Sequence, residues 1–349
     1  MNDSGNPIPR RRLGDSDPVA ALRRLLDELT ALIEQIEGSV ESGSRGGLPR
    51  LIAANEATTR RIMEGIGTVL HDVGMAGEAC EVADQVRELA ATHLSAWSST
   101  SPVFYHVRNT PRADFNNFEI VVLLLENRLA GGDAAAQILD HYYLNMVTSS
   151  SFRNRFSQVA DRLAAETERR AKEERPVRIL NLHTGAGREL ELLANHRGFA
   201  QAVQITCLDR DPVALRRARQ RLERLASRSQ FVRADARKYA ASRTWCEAPF
   251  DIIYTVNLFD QLDDEQTAKL IADCRHGLTP GGVLMFGNFT PSLPIAERAL
   301  IAWLMNWTIR SRSVDEWRQI FAQTWRDEEC VRFEPEELQA SQLVIATRP

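Results

Sequence analysis

Two glycines and an acid in the second half of the chain have the types and spacing of a nucleotide site. Gly185 and Gly187 lie in RILNLHTGAGRE, Arg178 to Glu189, where a short apolar run breaks into a turn and opens a helix. A second apolar run, QITCLD, ends in Asp209, 22 residues after Gly187. Strand, glycine turn, helix, strand, acid is the order of a nucleotide-binding βαβ unit. The glycines let backbone approach a ligand closely, and an acid about 20 residues on can accept both hydroxyls of a ribose.

The turn discriminates between nucleotides. A dinucleotide fingerprint carries a third glycine for helix packing, and here that position is Leu190. No G-x-x-x-x-G-K-[ST] follows a strand anywhere in the chain. The turn instead resembles the degenerate G-x-G-x-G of class I methyltransferases, with His183, Gly185 and Gly187 at the three glycine positions. S-adenosylmethionine has no phosphate, so such a turn needs close approach but no anion cradle. Thr184 and Glu189 flank the glycines; an acid in the first turn of a helix is also favoured by the helix dipole, and a contact to the methionine amino group is its functional alternative.

These residues require a sheet to hold them. SQFVRADARKY reads as a third strand followed by Asp235, 26 residues after Asp209, with Ala236 next to it. FDIIYTVNLFDQL, Phe250 to Leu262, is a buried strand running into a loop with Asn257, Phe259 and Asp260. LTPGGVLMFGNF, Leu278 to Phe289, is a second such strand and carries Asn288. CVRFE and SQLVIATR close the chain as two more. Continuous apolar runs mark parallel strands covered on both faces. Helical patterns such as DPVALRRARQRLERLA lie between them, so the fold is a doubly wound α/β sheet. Ligands bind at the carboxyl ends of such strands, where Thr184, Asp209, Asp235, Asn257 and Asn288 fall.

The second half also resembles the bacterial methyltransferases of 3-hydroxypalmitic acid methyl ester biosynthesis, which make a quorum-sensing fatty ester. The likeness covers roughly residues 135 to 349 and rests on ILNLHTGAGRE, DIIYTVNLFDQL, PGGVLMFGNF, the Trp303–Trp307 helix ALIAWLMNWTIR, and the RNR of Arg153 to Arg155. It implies a Rossmann-like class I methyltransferase sheet with antiparallel C-terminal strands, S-adenosylmethionine as cofactor, and a fatty acid carboxylate as acceptor. Departures lie at His183 and Thr184, which replace Ala-Cys, at Asn257, which replaces a Gly, and at Arg112 to Glu126, which keeps little of a GYAGDY-like segment.

The first half is helical. DPVAALRRLLDELTALIEQIE and the two long segments after it place apolar residues at helix spacing on one face. The expected organisation is a disordered tail over 1–16, a helical lid or dimerisation domain over 17–168, and an S-adenosylmethionine-binding domain over 169–349. SPVFYHVRN, Ser101 to Asn109, is an edge strand or an active-site loop. His141, Tyr142 and Tyr143 form a polar-aromatic cluster on an apolar helix and serve either as core residues or as substrate contacts.

Bulk composition fits a cytoplasmic enzyme. Hydrophobic residues make up 44% and charged residues 26%, ordinary globular values. The net charge of −4 gives no reason to expect nucleic acid as partner. The five cysteines have no C-x-x-C spacing, so neither a disulfide framework nor a metal site is supported. No run approaches the ~20 apolar residues of a membrane span. A homodimer is an open expectation.

Candidate roles follow. His183, Thr184, Gly185, Gly187, Glu189, Asp209, Arg210, Asp235, Ala236 and Asn257 would surround the cofactor. Asp260, Asn288, Arg153, His141 and Tyr142 are the catalytic candidates, and Tyr143, Phe259, Trp303 and Trp307 would line the acceptor pocket. Arg153 or Arg155 could hold a carboxylate through both guanidinium donors. A carboxylate acceptor needs no base, whereas a hydroxyl or amine would draw on Asp260 or His141. The alternatives are a tailoring N- or O-methyltransferase, a non-catalytic cofactor- or lipid-binding module, and an NAD-dependent oxidoreductase.

Overall fold

The computed structural model describes residues 17–43, 47–75, 81–101, 118–172, 175–194, 199–242, 245, 248–304, 307–325 and 330–349. The tail over 1–16, all of SPVFYHVRN after Ser101, and residues 112–117 lie outside these. Two compact units are formed: Met1–Ser149 with Pro294–Thr308, and Ser150–Leu293 with Ile309–Pro349. This division differs from the 168/169 boundary expected above in two places, each with a packing cause.

The helical unit holds α1 (Pro18–Glu41), α2 (Gly47–Ala54), α3 (Glu56–Met75), α4 (Glu81–Ser98), α5 (Phe118–Glu126) and α6 (Ala134–Leu144). Asp17 caps α1 by accepting from the Val19 amide at 3.0 Å. Leu22, Leu26, Leu29, Ile33 and Ile36 then repeat every three or four residues and are buried. The segment Pro294–Thr308 joins this unit because its helix packs on α3. Gly67 makes the approach feasible: a Cβ there would lie 2.3 Å from the Ala296 carbonyl oxygen. Glu297 of the same segment accepts from the Val147 and Thr148 amides at 2.9 and 2.8 Å, capping α7 (Val147–Arg170). From Ser150 on, α7 belongs to the sheet unit: the Ser151 hydroxyl donates to Ser341, and Asn154 donates to Glu336.

The sheet unit contains β1 (Val177–Leu182), α8 (Arg188–Ala194), α9 (Phe199–Ala202), β2 (Val203–Asp209), α10 (Pro212–Arg221), β3 (Ser229–Arg233), α11 (Ala236–Ser242), β4 (Phe250–Thr255), α12 (Asp264–Gly277) and β5 (Leu278–Phe289). The helix α13 (Ile295–Leu304) is the one that leaves for the helical unit; α14 (Val314–Ala322), β6 (Val331–Pro335) and β7 (Ser341–Thr347) complete the chain. The seven strands run in the order β3-β2-β1-β4-β5-β7-β6. The first five are mutually parallel, and β7 is antiparallel to both its neighbours. This is the class I methyltransferase topology. All six residues of β4 are buried, as a strand covered on both faces requires. Under the β4–β5 end, Phe259, Phe286, Trp317 and Phe321 form an aromatic core, with Phe259 and Phe286 centroids 4.0 Å apart. Among the described residues, no helix is long and apolar enough to cross a membrane.

Candidate active site

The turn after β1 is built on left-handed backbone. Gly185 and Gly187 have φ of 55° and 66°, and His183 has 71°. A non-glycine residue in that region stores about 1–3 kcal/mol of strain, and such strain concentrates at functional sites. The turn is anchored to β2: the His183 and Thr184 amides donate to the Leu208 carbonyl at 2.8 and 2.9 Å. Gly187 also faces the helix behind it, where a Cβ would lie 3.3 Å from Leu222.

Asp209, at the end of β2, is 2% exposed. One of its oxygens accepts from the Gly185 amide at 2.8 Å and the other from the Asp211 amide at 2.9 Å. Each oxygen keeps a second lone pair, the complement of two ribose hydroxyls. Asp235 caps α11, accepting from the Arg237 and Lys238 amides at 3.0 and 3.2 Å. Burial pushes its carboxyl up, but the bonds from Arg237 and the Lys238 amide outweigh that and hold it below the usual range. Arg210 is half-buried and its carbonyl accepts from Arg233, Ala236 is in the core, and Asn257 is half-buried in the turn after β4.

Beside β1 lies a cluster that the sequence reading found only in part. Glu189 is 1% exposed. Its Oε1 accepts from Asn181 Nδ2 at 2.7 Å and from the Tyr254 hydroxyl at 2.9 Å, and Asn181 Nδ2 also donates to the Tyr254 oxygen at 2.7 Å. Asn181 and Tyr254 are register partners on β1 and β4. Burial pushes the Glu189 carboxyl up, against neutral donors and a weaker pull from Arg221. Asn181 Oδ1 is buried and accepts no hydrogen bond. An acid compensated mainly by neutral groups could hold a ligand ammonium group. An Asn inside the apolar run ILNL was the sequence signal for this cluster; Tyr254 lies in the family-like DIIYTVNLFDQL but had no role assigned to it.

Asp260 is treated differently. It is fully buried, with Arg155 Nη1 at 2.6 Å on one oxygen and Asn288 Nδ2 at 2.7 Å and the Phe289 amide at 3.1 Å on the other. Burial raises its carboxyl and outweighs the Arg155 charge and these bonds. Asn288 spends its other Nδ2 hydrogen on the Arg310 carbonyl at 3.0 Å. Expected at the acceptor, Asn288 is in this arrangement an anchor of the loop, with no donor left to give. Phe259, expected to line a pocket, is wholly buried in the aromatic core. Arg312, which no motif singled out, fixes the same loop through the Phe259 and Leu262 carbonyls at 3.0 and 2.5 Å. Arg153 points elsewhere than Arg155, two residues on: it is half-buried and donates to the Ser150 hydroxyl at 3.0 Å.

The remaining candidates belong to the helical unit. Tyr142 and Tyr143 are buried there, and burial drives both hydroxyls far above the usual tyrosine range, with Glu297 and Glu64 adding to the effect at Tyr142. His141 is half-buried on the same helix. Trp303 carries the Arg87 guanidinium 5.1 Å over its ring, and the Trp307 amide donates to the Ile301 carbonyl. Among the described residues no cluster of three His, Cys, Asp or Glu could hold a metal.

Residues 179–282 match the family model of a methyltransferase domain. Among solved structures, a possible exported protein from Bordetella parapertussis aligns over 85% of this chain and 97% of its own, with TM-score 0.54 and 18% identity. A putative O-methyltransferase from Nostoc punctiforme aligns over 84% and 96%, with TM-score 0.45 and 14% identity. Magnesium protoporphyrin IX methyltransferase from Synechocystis, with bound S-adenosylmethionine, aligns over 58% and 84%, with TM-score 0.41 and 11% identity. At these identities the likeness is one of fold. A comparison with curated proteins finds no match. The domain match over 179–282 and the sheet topology give the chain an S-adenosylmethionine-dependent methyltransferase domain with the class I fold.

Proposed function

We propose that the acceptor is a carboxylate on a small apolar acid, of the 3-hydroxy fatty acid type, and that the product is its methyl ester. The supporting observation is Asp260. The acid on the loop after β4 is the first candidate for a base, yet its two oxygens take three donors within a buried ion pair. An ionised carboxylate acceptor needs no base at neutral pH, since carboxyl groups titrate near pH 4. The reading also draws on the family-like LFD and GNF segments.

In this reading Asp209 holds the ribose, Glu189 and Asn181 hold the methionine ammonium, and Asp235 lies toward the adenine. His183, Thr184, Gly185 and Gly187 shape the turn between them. When bound, S-adenosylmethionine supplies a methyl group activated on a sulfonium sulfur. A carboxylate oxygen would take that methyl with the sulfonium sulfur as leaving group, so no residue of the chain would have to accept a proton. The protein's part is to strip water from the oxygen and align it, and such positioning supplies much of the rate. Quorum-sensing use of the ester, cytoplasmic residence and a homodimer belong to the same reading.

The test is turnover with labelled methyl donor over a panel of 3-hydroxy fatty acids, amines and phenols. Base-labile methyl label on the acids is the expected result. Turnover confined to amines or phenols, with a group titrating between about pH 6 and 8 on the histidine scale, would overturn the carboxylate and favour a tailoring enzyme.

A further inference from the structure

Three segments far apart in the chain, the RNR of α7, the LFD after β4 and the GNF of β5, meet on one side chain, Arg155. Its stem crosses β5 where residue 287 is glycine: a Cβ there would lie 2.1 Å from Arg155 Cδ. Its Nη1 then reaches both ends of one turn, the Val256 carbonyl at 3.3 Å and the Asp260 carboxylate at 2.6 Å. The guanidinium stacks 4.0 Å over the Phe289 ring, and the Phe289 amide and Asn288 take the other Asp260 oxygen. Gly287, Asn288 and Phe289 thus each serve this arginine or its partner.

We infer that Arg155 is a positioning residue for methyl transfer: through Asp260 it sets the 256–262 loop at the carboxyl end of β4, where the acceptor must be aligned. Stability alone does not account for it. Arg155 Nε and Nη2 are buried and make no hydrogen bond. Buried donors without partners are costly. An apolar pair of similar volume commonly equals or exceeds a buried ion pair in stability. What the pair supplies, and an apolar pair cannot, is a fixed direction between Val256, Asp260 and β5. The carboxyl ends of parallel strands are where ligands bind in such sheets, and a 1 Å misplacement can lower a rate on the order of 100-fold.

The inference rests on the methyltransferase class and not on the identity of the acceptor. Its test compares R155M, D260L, the double variant R155M/D260L, and R155K. Thermal melting, S-adenosylhomocysteine affinity, backbone amide exchange over 256–262, and kcat with the best acceptor of the panel are measured on each. Both single apolar variants should lose stability, since each strands a charge. The double variant should regain the wild-type melting temperature and bind S-adenosylhomocysteine within about twofold. Its loop amides should still exchange faster than wild type, and kcat should stay down on the order of 100-fold. Recovery of loop protection and turnover together with stability would reduce the pair to a structural one and overturn the proposal. Should the double variant fail to fold, R155K decides: it keeps the charge but loses the planar fork. A wild-type circular dichroism spectrum with slower turnover and faster loop exchange supports the inference; wild-type exchange and turnover refute it. Amide exchange needs no acceptor, so failure of the carboxylate assignment leaves this test intact.

Discussion

Glu189 and Asp260 are both buried acids near the carboxyl end of the same sheet, and both have carboxyls raised by burial. Their surroundings differ in kind. Asp260 has an arginine, an amide side chain and a backbone amide on its two oxygens. Glu189 has only an Asn and a Tyr, both neutral, on a single oxygen; an orphaned amide oxygen occurs beside each acid, Asn181 Oδ1 and Asn288 Oδ1, and does not separate them. One acid is neutralised by an arginine and holds a loop; the other has only neutral donors in hydrogen-bonding reach, and in the proposed reading its uncompensated negative charge faces the methionine ammonium. The lesson is that a buried acid is assigned by what compensates it, and not by its burial or its titration.

The largest expected effect breaks the neutralised side. D260A should destabilise the protein by about 3–5 kcal/mol, because it leaves Arg155 buried without its counter-ion. Its residual turnover should show no new acidic limb in the pH–rate profile; a lost limb in that profile would mark Asp260 as a base after all.

The ligand-facing side is tested by binding. D209A should weaken S-adenosylhomocysteine by about 1.5–3 kcal/mol, the scale of hydrogen bonds to a charged group. Calorimetry showing an unchanged affinity would remove Asp209 from the ribose.

E189Q sharpens the contrast. It should lower S-adenosylhomocysteine affinity on the order of tenfold, about 1.4 kcal/mol, and leave 5′-methylthioadenosine, which lacks the ammonium, untouched. Equal losses for both ligands would mean that Glu189 only shapes the turn. The same variant carries a signed pH effect. The folded pKa of Glu189 stands above its unfolded value, so the folded state binds more protons between the two. Its unfavourable contribution is missing below the ordinary glutamate range and grows as pH rises toward the folded pKa. E189Q should therefore match wild type in acid and become the more stable protein above that window. Asp251 behaves oppositely: burial raises its carboxyl, but the bidentate Arg175 contact at 2.7 and 2.8 Å and the Arg178 amide outweigh it and hold it low. Its stabilisation is present at neutral pH and is lost as pH falls through the folded pKa.

The smallest effect concerns a neutral orphan. Tyr142 in the helical unit has a buried hydroxyl that makes no hydrogen bond. Y142F should raise stability by up to about 1 kcal/mol in thermal melts; a loss of turnover without a loss of stability would instead give Tyr142 a catalytic part.

The chain by itself determined the strands, the glycine turn, the acids that follow them and the amphipathic helices, because each is written in local spacing: period 2 or 3.6, a glycine where φ is positive, an acid at a strand end. Local spacing could not choose between Arg153 and Arg155, which sit two positions apart on one helix and face different surroundings. It could not pair Asn181 with Tyr254, 73 residues on, since that depends on β1 lying beside β4 in register. Nor could it show that Asn288 donates to Asp260, both read as catalytic, while Arg155 neutralises that acid, or that Pro294–Thr308 joins the helical unit. Those outcomes depend on which buried polar groups meet once the layers close, and only the tertiary structure brings them within hydrogen-bonding reach.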